Sequence, residues 1–195
     1  MNIKRFFSPL IVIVALLGVQ SAVAAPEKYI IDTKGAHAFI QFRIQHLGFS
    51  WLYGRFDTFS GEMMIDEANP ENSSIKVTVD TASLNSNHAE RDKHLRGEDF
   101  LDVKKYPTAE FVSASVKKTG EKTGLLKGKL TLHGVTREIE VPVEYVGGGT
   151  DPWGGYRHGF TGKTTLKLAD YGITYNLGPA STHVELLLDI EAIRQ

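Results

Sequence analysis

The 195-residue chain contains no cysteine. Disulfides, thiolate metal ligands, thioether-linked haem and a cysteine nucleophile are therefore excluded, and the fold must rest on an ordinary apolar core. An excess of either charge sign is also missing. With 22 basic and 23 acidic side chains the formal net charge is -1, so there is no general basic surface for nucleic-acid phosphates. No G-x-S-x-G nucleophile elbow occurs. Gly162-Lys163-Thr164 echoes a phosphate loop, but Arg157 stands where its first glycine belongs. No run of about 20 apolar residues, the length a spanning helix needs, is present. The composition, 42% hydrophobic and 23% charged, is that of a globular chain and not of a disordered one. The length suits one domain or at most two small ones.

The chain does carry an address. Lys4-Arg5 is followed by an apolar stretch from Phe6 to Val19, broken only by Ser8 and Pro9, and then by Ala22-Val23-Ala24. This is the three-part pattern of a secretory signal peptide. We expect a signal peptide over residues 1–24, cleaved after about Ala24, and a single domain over 25–195. Without a cysteine after the cleavage site there is no lipoprotein anchor. In a two-membrane bacterium the product belongs in the periplasm.

Glycine, at 19 residues, exceeds its usual share of about 7% and points to many tight turns between short strands. Period-2 alternation confirms this expectation. Ala38, Ile40, Phe42, Ile44 and His46 share one face of a strand, with Gln41, Arg43 and Gln45 opposite. Phe59, Met63 and Ile65 repeat the pattern, and Phe56 is out of phase with Phe59, which places a corner or bulge near Thr58. Further strands follow at Ile75–Val79, Ala109–Val116, Gly124–Leu132, Glu138–Tyr145, Phe160–Leu168 and Val184–Ile190, with a short one at Tyr29–Asp32. Gly147 to Gly155 reads as a long hairpin loop. Only Asn87 to Leu101 breaks the alternation; it reads as one or two short helices, with Asn87 as N-cap. No helix separates successive strands elsewhere, so an antiparallel barrel or sandwich with a helical insertion is the expectation. A soluble barrel hides its apolar face inside, and a lipid-embedded one turns it outward. The many Lys and Glu on the polar faces favour the soluble form.

Several segments are more specific. His37-Ala38-Phe39-Ile40-Gln41-Phe42 through Gly48, Trp51-Leu52-Tyr53-Gly54 and Asn87-His88-Ala89-Glu90-Arg91-Asp92-Lys93-His94-Leu95 stand in series. Asp99-Phe100-Leu101-Asp102, Tyr106-Pro107, Gly128 to Thr136, Asp151-Pro152-Trp153-Gly154-Gly155 and Leu177-Gly178-Pro179-Ala180 follow. Together they resemble the YceI-like proteins over essentially the whole mature chain. The resemblance implies an all-β, eight-stranded antiparallel lipocalin-like barrel with a short helical insertion around 87–101. It also implies export to the periplasm. Some members of that family carry long isoprenoid lipids inside the barrel; others bind fatty amides or take part in stress responses.

A lipid site requires apolar walls and a mouth. Ile40, Phe42, Ile44 and Phe56, with Leu95 and Phe100 from the insertion, are the candidate walls. Trp51 and Tyr53, beside Phe49, are candidates for a loop closing the mouth. Arg91, His94 and Arg43 are candidates for a polar head, and His46, on the apolar face, for a buried hydrogen-bonded histidine or a ligand contact. The charged block from His88 to Asp102 lacks H-e-x-x-H metal spacing and reads as salt bridges and caps that fasten the insertion, with Arg91 and Asp92 each finding a separate partner. No catalytic residue, metal or cofactor is expected apart from a bound polyisoprenoid or quinone. The partner is then the lipid, with no nucleic acid and no membrane span. A homodimer, or a membrane redox partner for a quinone cargo, is compatible with the sequence but indicated by no residue. Two other readings stand beside the carrier: an enzyme acting on such a lipid through the His88–Asp102 block, and a stress-related interaction protein with a filled barrel. Each buried CH₂ contributes about 0.8 kcal/mol, so a chain of about 40 carbons exceeds the practical affinity ceiling near 20 kcal/mol. Retention is expected without sharp discrimination of chain length.

Overall fold

The computed structural model describes residues 25–195. The expected signal peptide lies outside the described residues. Eleven strands are present: β1 (Glu27–Ile31), β2 (Phe39–His46), β3 (Ser50–Phe56), β4 (Phe59–Ile65), β5 (Ser74–Asp80), β6 (Leu84–Asn85), β7 (Thr108–Lys118), β8 (Thr123–Leu132), β9 (Val135–Thr150), β10 (Tyr156–Lys167) and β11 (His183–Arg194). Among the described residues there is one α-helix, α1 (Ala89–Leu95), between β6 and β7.

These strands form eight staves. β1 and β2 lie in succession along β11, pairing with its C-terminal and N-terminal parts respectively. β4 and β3 lie beside them in the same way, followed by β5 and β6. From β7 to β11 each strand pairs with the next, all antiparallel. The β1–β11 pairing, with Tyr29 opposite Arg194 and Ile31 opposite Ala192, closes the ring. Closure leaves no free edge in the ring of β1, β4, β5 and β7 to β11, while β6 pairs with β3 alone. The eight-stranded antiparallel lipocalin-like barrel is thus the observed fold.

The alternation has its expected cause. Ile40, Phe42 and Leu130 are buried, as are Leu166 and Val141, while their neighbours in sequence face out. The outer face is charged on many staves, with Lys28–Glu62, Arg43–Glu185 and Lys76–Glu110 pairs each at 2.7 Å. A basic side chain on a lipid-facing stave costs about 2–4 kcal/mol at the bilayer midplane, so this exterior suits water. Among the described residues no helix is long and apolar enough to cross a membrane.

The corner near Thr58 is real. β3 ends at Phe56 and β4 starts at Phe59, and the Asp57 and Thr58 N–H groups donate to Ser83 at 3.1 and 3.0 Å. Two residues of corner reset the phase, so Phe56 and Phe59 both pack inward against one cluster.

Three local expectations are corrected. First, Ser50–Phe56 is a strand, not a loop. Its outward Trp51 and Tyr53 masked the period because both faces carry large residues. Second, Gly147–Gly149 belongs to β9, which runs on to Thr150 and leaves only a tight turn at Asp151–Gly155. A Cβ on Gly148 would stand 2.4 Å from His158 Nδ1 and 2.5 Å from the Tyr145 hydroxyl. Glycine here records a close approach inside a strand and not flexibility. Third, the cap of α1 is His88, whose Nδ1 accepts the Arg91 N–H at 3.3 Å, and not Asn87, which sits at φ 63°.

Candidate functional site

The end of the barrel that carries α1 holds a cavity of about 660 Å³, within the usual range for small-molecule sites. Its walls come from all around the ring: Ile40, Phe42 and Ile44 on β2, Leu52 and Phe56 on β3, Leu130 and Leu132 on β8, Leu166 on β10, and Leu186 on β11. Leu95 and Phe100 of the insertion, with Ile173 and Leu177 of the β10–β11 connection, cover one end. Polar groups gather at the lip, where His46, Arg91, His94 and Asn176 join exposed Leu47 and Tyr175, and the one buried hydroxyl of the lining, that of Ser181, donates to the Gln45 carbonyl.

Glycine also shapes this wall. Phe42 lies over Gly54 of the facing strand so closely that a Cβ there would be 2.2 Å from Phe42 Cζ. The ring therefore packs along the wall and tilts against Phe56 at a centroid distance of 5.8 Å.

Nine of the eleven candidate residues line this cavity: Ile40, Phe42, Ile44, His46, Phe56, Arg91, His94, Leu95 and Phe100. Trp51 and Tyr53 do not. They project from the outer face of β3, where the Arg43 guanidinium lies 4.2 Å from the Trp51 ring and donates to the Tyr53 hydroxyl at 3.3 Å. Arg43 also donates to Glu185 at 2.7 Å and so faces away from any ligand head. Phe49 is 85% exposed at the tip of the β2–β3 turn. His46 is exposed at the lip, because β2 ends there, and not buried in the wall.

The insertion is fastened through a shared anchor. Asp92, buried, accepts the Ser86 N–H at 2.8 Å and the Ser86 hydroxyl. Arg91 donates to the Ser86 hydroxyl oxygen at 2.7 Å and to the Ser86 carbonyl at 2.5 Å. The expectation of separate partners fails because the chain before α1 folds back between both side chains. Arg91 thus presents its stem to the cavity while its head is engaged. His94 remains as the polar group at the lip: it pairs with Asp99 at 2.9 Å and meets Phe100 and Tyr175 edge-on.

A second cavity of about 410 Å³ occupies the opposite end. Ile75, Val116, Leu126, Val141, Phe160 and Leu188 form apolar walls, and Glu67, Lys118 and Lys122 stand at its exposed rim. Buried His158 lies in its wall, with Nε2 2.9 Å from a Glu67 carboxylate oxygen and Nδ1 3.1 Å from the Tyr145 hydroxyl. A carboxylate only accepts, so Nε2 donates to Glu67. Burial pushes the Tyr145 phenol up, and burial together with Glu27 pushes neighbouring Tyr29 up to about 12. Both phenols stay protonated. No short motif marks this end: its residues are scattered over seven strands and their connections, and alternation alone identified their direction.

Among the described residues, Asp32, His37 and Glu191 also bring potential metal-ligand atoms together. The Arg157 guanidinium meets them instead, donating to Asp32 at 2.7 Å and Glu191 at 2.5 Å, and Arg157 Nε donates to Asp151 at 2.5 Å. That cluster lies on the outer face and joins the β1–β2 excursion to β10 and β11.

Residues 29–192 match the YceI-like domain. The chain belongs to the YceI-like family. A UPF0312 protein of Ectopseudomonas mendocina is 54% identical over 193 residues, covering 99% of this YceI-like chain and all of the relative. Burkholderia cenocepacia BcnA, a crystal structure, is 24% identical, with a TM-score of 0.74 over 83% of this chain and 98% of its own. A polyisoprenoid binding domain from Saccharophagus degradans is 20% identical, with a TM-score of 0.63 over 86% and 98%. At those identities the two structures establish that the YceI-like barrel is shared.

Proposed function

We propose that this YceI-like protein is a non-enzymatic carrier, exported to the periplasm, that holds a long apolar amphiphile such as a polyisoprenoid or quinone inside its barrel. The observation that carries this reading is the cavity of about 660 Å³ with leucine, isoleucine and phenylalanine walls and its polar groups confined to the lip. Apolar burial supplies the affinity, and a head group left at the lip keeps its contact with water. The S. degradans domain, described as polyisoprenoid binding, has the same barrel and supports the choice of ligand class. The leader pattern at Lys4–Ala24 supports the location.

The lip favours binding over catalysis. His94 is tied to Asp99, Arg91 to Ser86, and His88 to the first turn of α1. Each has a structural partner, and the Ser86 hydroxyl beside Arg91 is itself engaged with Asp92. Organic extraction and mass spectrometry of protein purified from its native compartment tests the proposal. A prenyl or quinone lipid in about stoichiometric amount is the expected result, and repeated recovery without lipid overturns it. Lipid retention should survive a His88→Asn, Asp99→Asn double substitution; turnover of an added prenyl lipid by the wild type that this substitution abolishes would establish the enzyme instead.

A further inference from the structure

The β2–β3 turn and the β10–β11 connection meet on the outside of the barrel, beside the mouth of the large cavity. The Ser181 hydroxyl donates to the Gln45 carbonyl at 2.5 Å, and a Cβ on Gly178 would lie 3.7 Å from Leu47 Cδ2. Both segments stand apart in charge. Between residues 25 and 195 the two longest stretches without Asp, Glu, Lys or Arg run from Ile44 to Gly54 and from Tyr171 to Val184. The fold sets them side by side, on a molecule whose outer staves elsewhere carry ion pairs.

The rim they form is apolar at its summit. Phe49 is 85% exposed, Leu47 56% and Tyr175 47%. Single exposed apolar side chains are ordinary, but a group of them marks a contact surface. Leu47 also strains its backbone. φ is 53° at Leu47 and 81° at Gly48, and the Phe49 N–H donates to the His46 carbonyl at 2.9 Å. Asn-Gly is the pair that two such left-handed positions ordinarily take, and a bulky side chain there is an outlier. More than half of the leucine is in water, so burial against the barrel does little to offset the strain.

Polarity then changes in one direction down the hairpin. Trp51 lies on the outer face roughly 7 Å behind Phe49, and Tyr53 about as far again. Beside them Arg43 meets Trp51, Tyr53 and Glu185, and Arg55 pairs with Asp57. Apolar, then amphipathic aromatic, then charged is the order met on leaving a bilayer, where Trp and Tyr sit at headgroup depth. A protein partner instead calls for an apolar centre with a polar rim all round.

We propose that the rim built from residues 44–54 and 171–184 docks on a lipid bilayer, with Leu47 and Phe49 inserted below the headgroups and Trp51 and Tyr53 among them. The docking stands on the exterior alone; its use, passing a lipid between bilayer and barrel, rests on the carrier reading. In this pose the mouth that Leu47 and Tyr175 border opens at the membrane, while the α1 side, where His94 pairs with Asp99, keeps to the headgroup region. With His46 and His183 as the rim's only titratable groups apart from tyrosines, insertion and not anionic lipid holds the protein there.

The test is co-flotation of delipidated mature protein with vesicles of phosphatidylethanolamine and phosphatidylglycerol, and with uncharged phosphatidylcholine vesicles. Wild-type protein should bind both, with little effect of salt. Phe49→Ser should weaken binding at least about ten-fold, the effect of withdrawing one phenylalanine from apolar surroundings. Leu47→Asn should weaken it too while leaving Tm unchanged or raised, because the turn gains the residue its φ favours. In a Trp153→Phe protein Trp51 is the sole tryptophan, and its emission should move to shorter wavelength on vesicles. Wild-type protein that does not float, binding unmoved by both rim substitutions, or binding confined to the anionic vesicles and lost in salt overturns the proposal. So does a wild-type dimer that Phe49→Ser dissociates, because the rim then covers a second copy of this chain. The two readings fail separately: wild-type protein without extractable lipid defeats the carrier, and flotation alone decides the docking.

Discussion

Replacing Arg157 with methionine keeps most of its apolar stem and removes the charge that joins β1, β10 and β11. Asp32 and Asp151 are each 7% exposed at the side chain, Arg157 19% and Glu191 34%. Removing one member of a buried ion cluster costs about 3–5 kcal/mol, because the partners are left desolvated and unpaired. Asp32 retains the Gly35 N–H, and Asp151 retains those of Trp153 and Gly155. The lower end, about 3 kcal/mol, is therefore expected, equivalent to a fall of roughly 6–12 °C in Tm for a domain of this size. Acid supplies a second signature. Burial raises the Asp32 carboxyl, but hydrogen bonds from His37, Arg157 and the Gly35 amide outweigh it and hold the pKa at about 2, against 3.8 ordinarily. A carboxyl lowered in this way stabilises the fold above pH 3.8 and loses that contribution as pH falls through about 2. In the variant the Arg157 part of that lowering is gone. Its deficit should be greatest near neutrality and shrink as Asp32 and Asp151 protonate. Urea unfolding followed by circular dichroism from pH 7 down to about pH 3 measures both. A deficit below about 1 kcal/mol, or one that does not change with pH, would refute the reasoning that this cluster is a desolvated charge lock.

Other consequences are open to equally direct tests. Gly54→Ala puts a methyl into the Phe42 ring, so a loss of about 1–3 kcal/mol and poorer lipid retention should appear together; retention unchanged at lower stability would separate the ring from the cavity. Asp92→Ala leaves the Ser86 amide without its acceptor and should cost about 1–3 kcal/mol, with faster proteolysis between residues 86 and 107 as its marker. His94→Ala removes an exposed pair with Asp99 and the edge-on contacts with Phe100 and Tyr175, and thermal melts should show a loss of about 1–2 kcal/mol, most of it from the ring contacts.

The barrel was legible because its cause is local. Ile40, Phe42 and Ile44 alternate with polar residues, and that period directs a strand whatever its partners. The same rule failed for Ser50–Phe56, where Trp51 and Tyr53 lie outside and find their stabilisation under Arg43. It failed again at Gly147–Gly149, where glycine is a matter of space next to His158 and not of turning. The large cavity was readable in its β2 wall and its helical cover. Leu166, Leu186 and Ile173, which complete it, were legible only as apolar positions, since nothing in a strand's own period says which strands will face one another. The small cavity and the Arg157 cluster depend on pairings such as Asp32 with Arg157, separated by 125 positions. No local pattern reports an encounter of that span.

The seam between β1 and β11 has a kinetic consequence. Tyr29 pairs with Arg194, Arg194 reaches Glu27 at 3.1 Å, and the Gln195 amide donates to the Lys28 carbonyl at 2.9 Å. The cylinder is therefore completed by pairing of residues 29–31 with residues 192–194, and a growing chain remains an unclosed sheet until that second segment has been added. Such closure across more than 160 positions of sequence is paid for in folding rate, because the loop-closure entropy precedes the contacts that reward it.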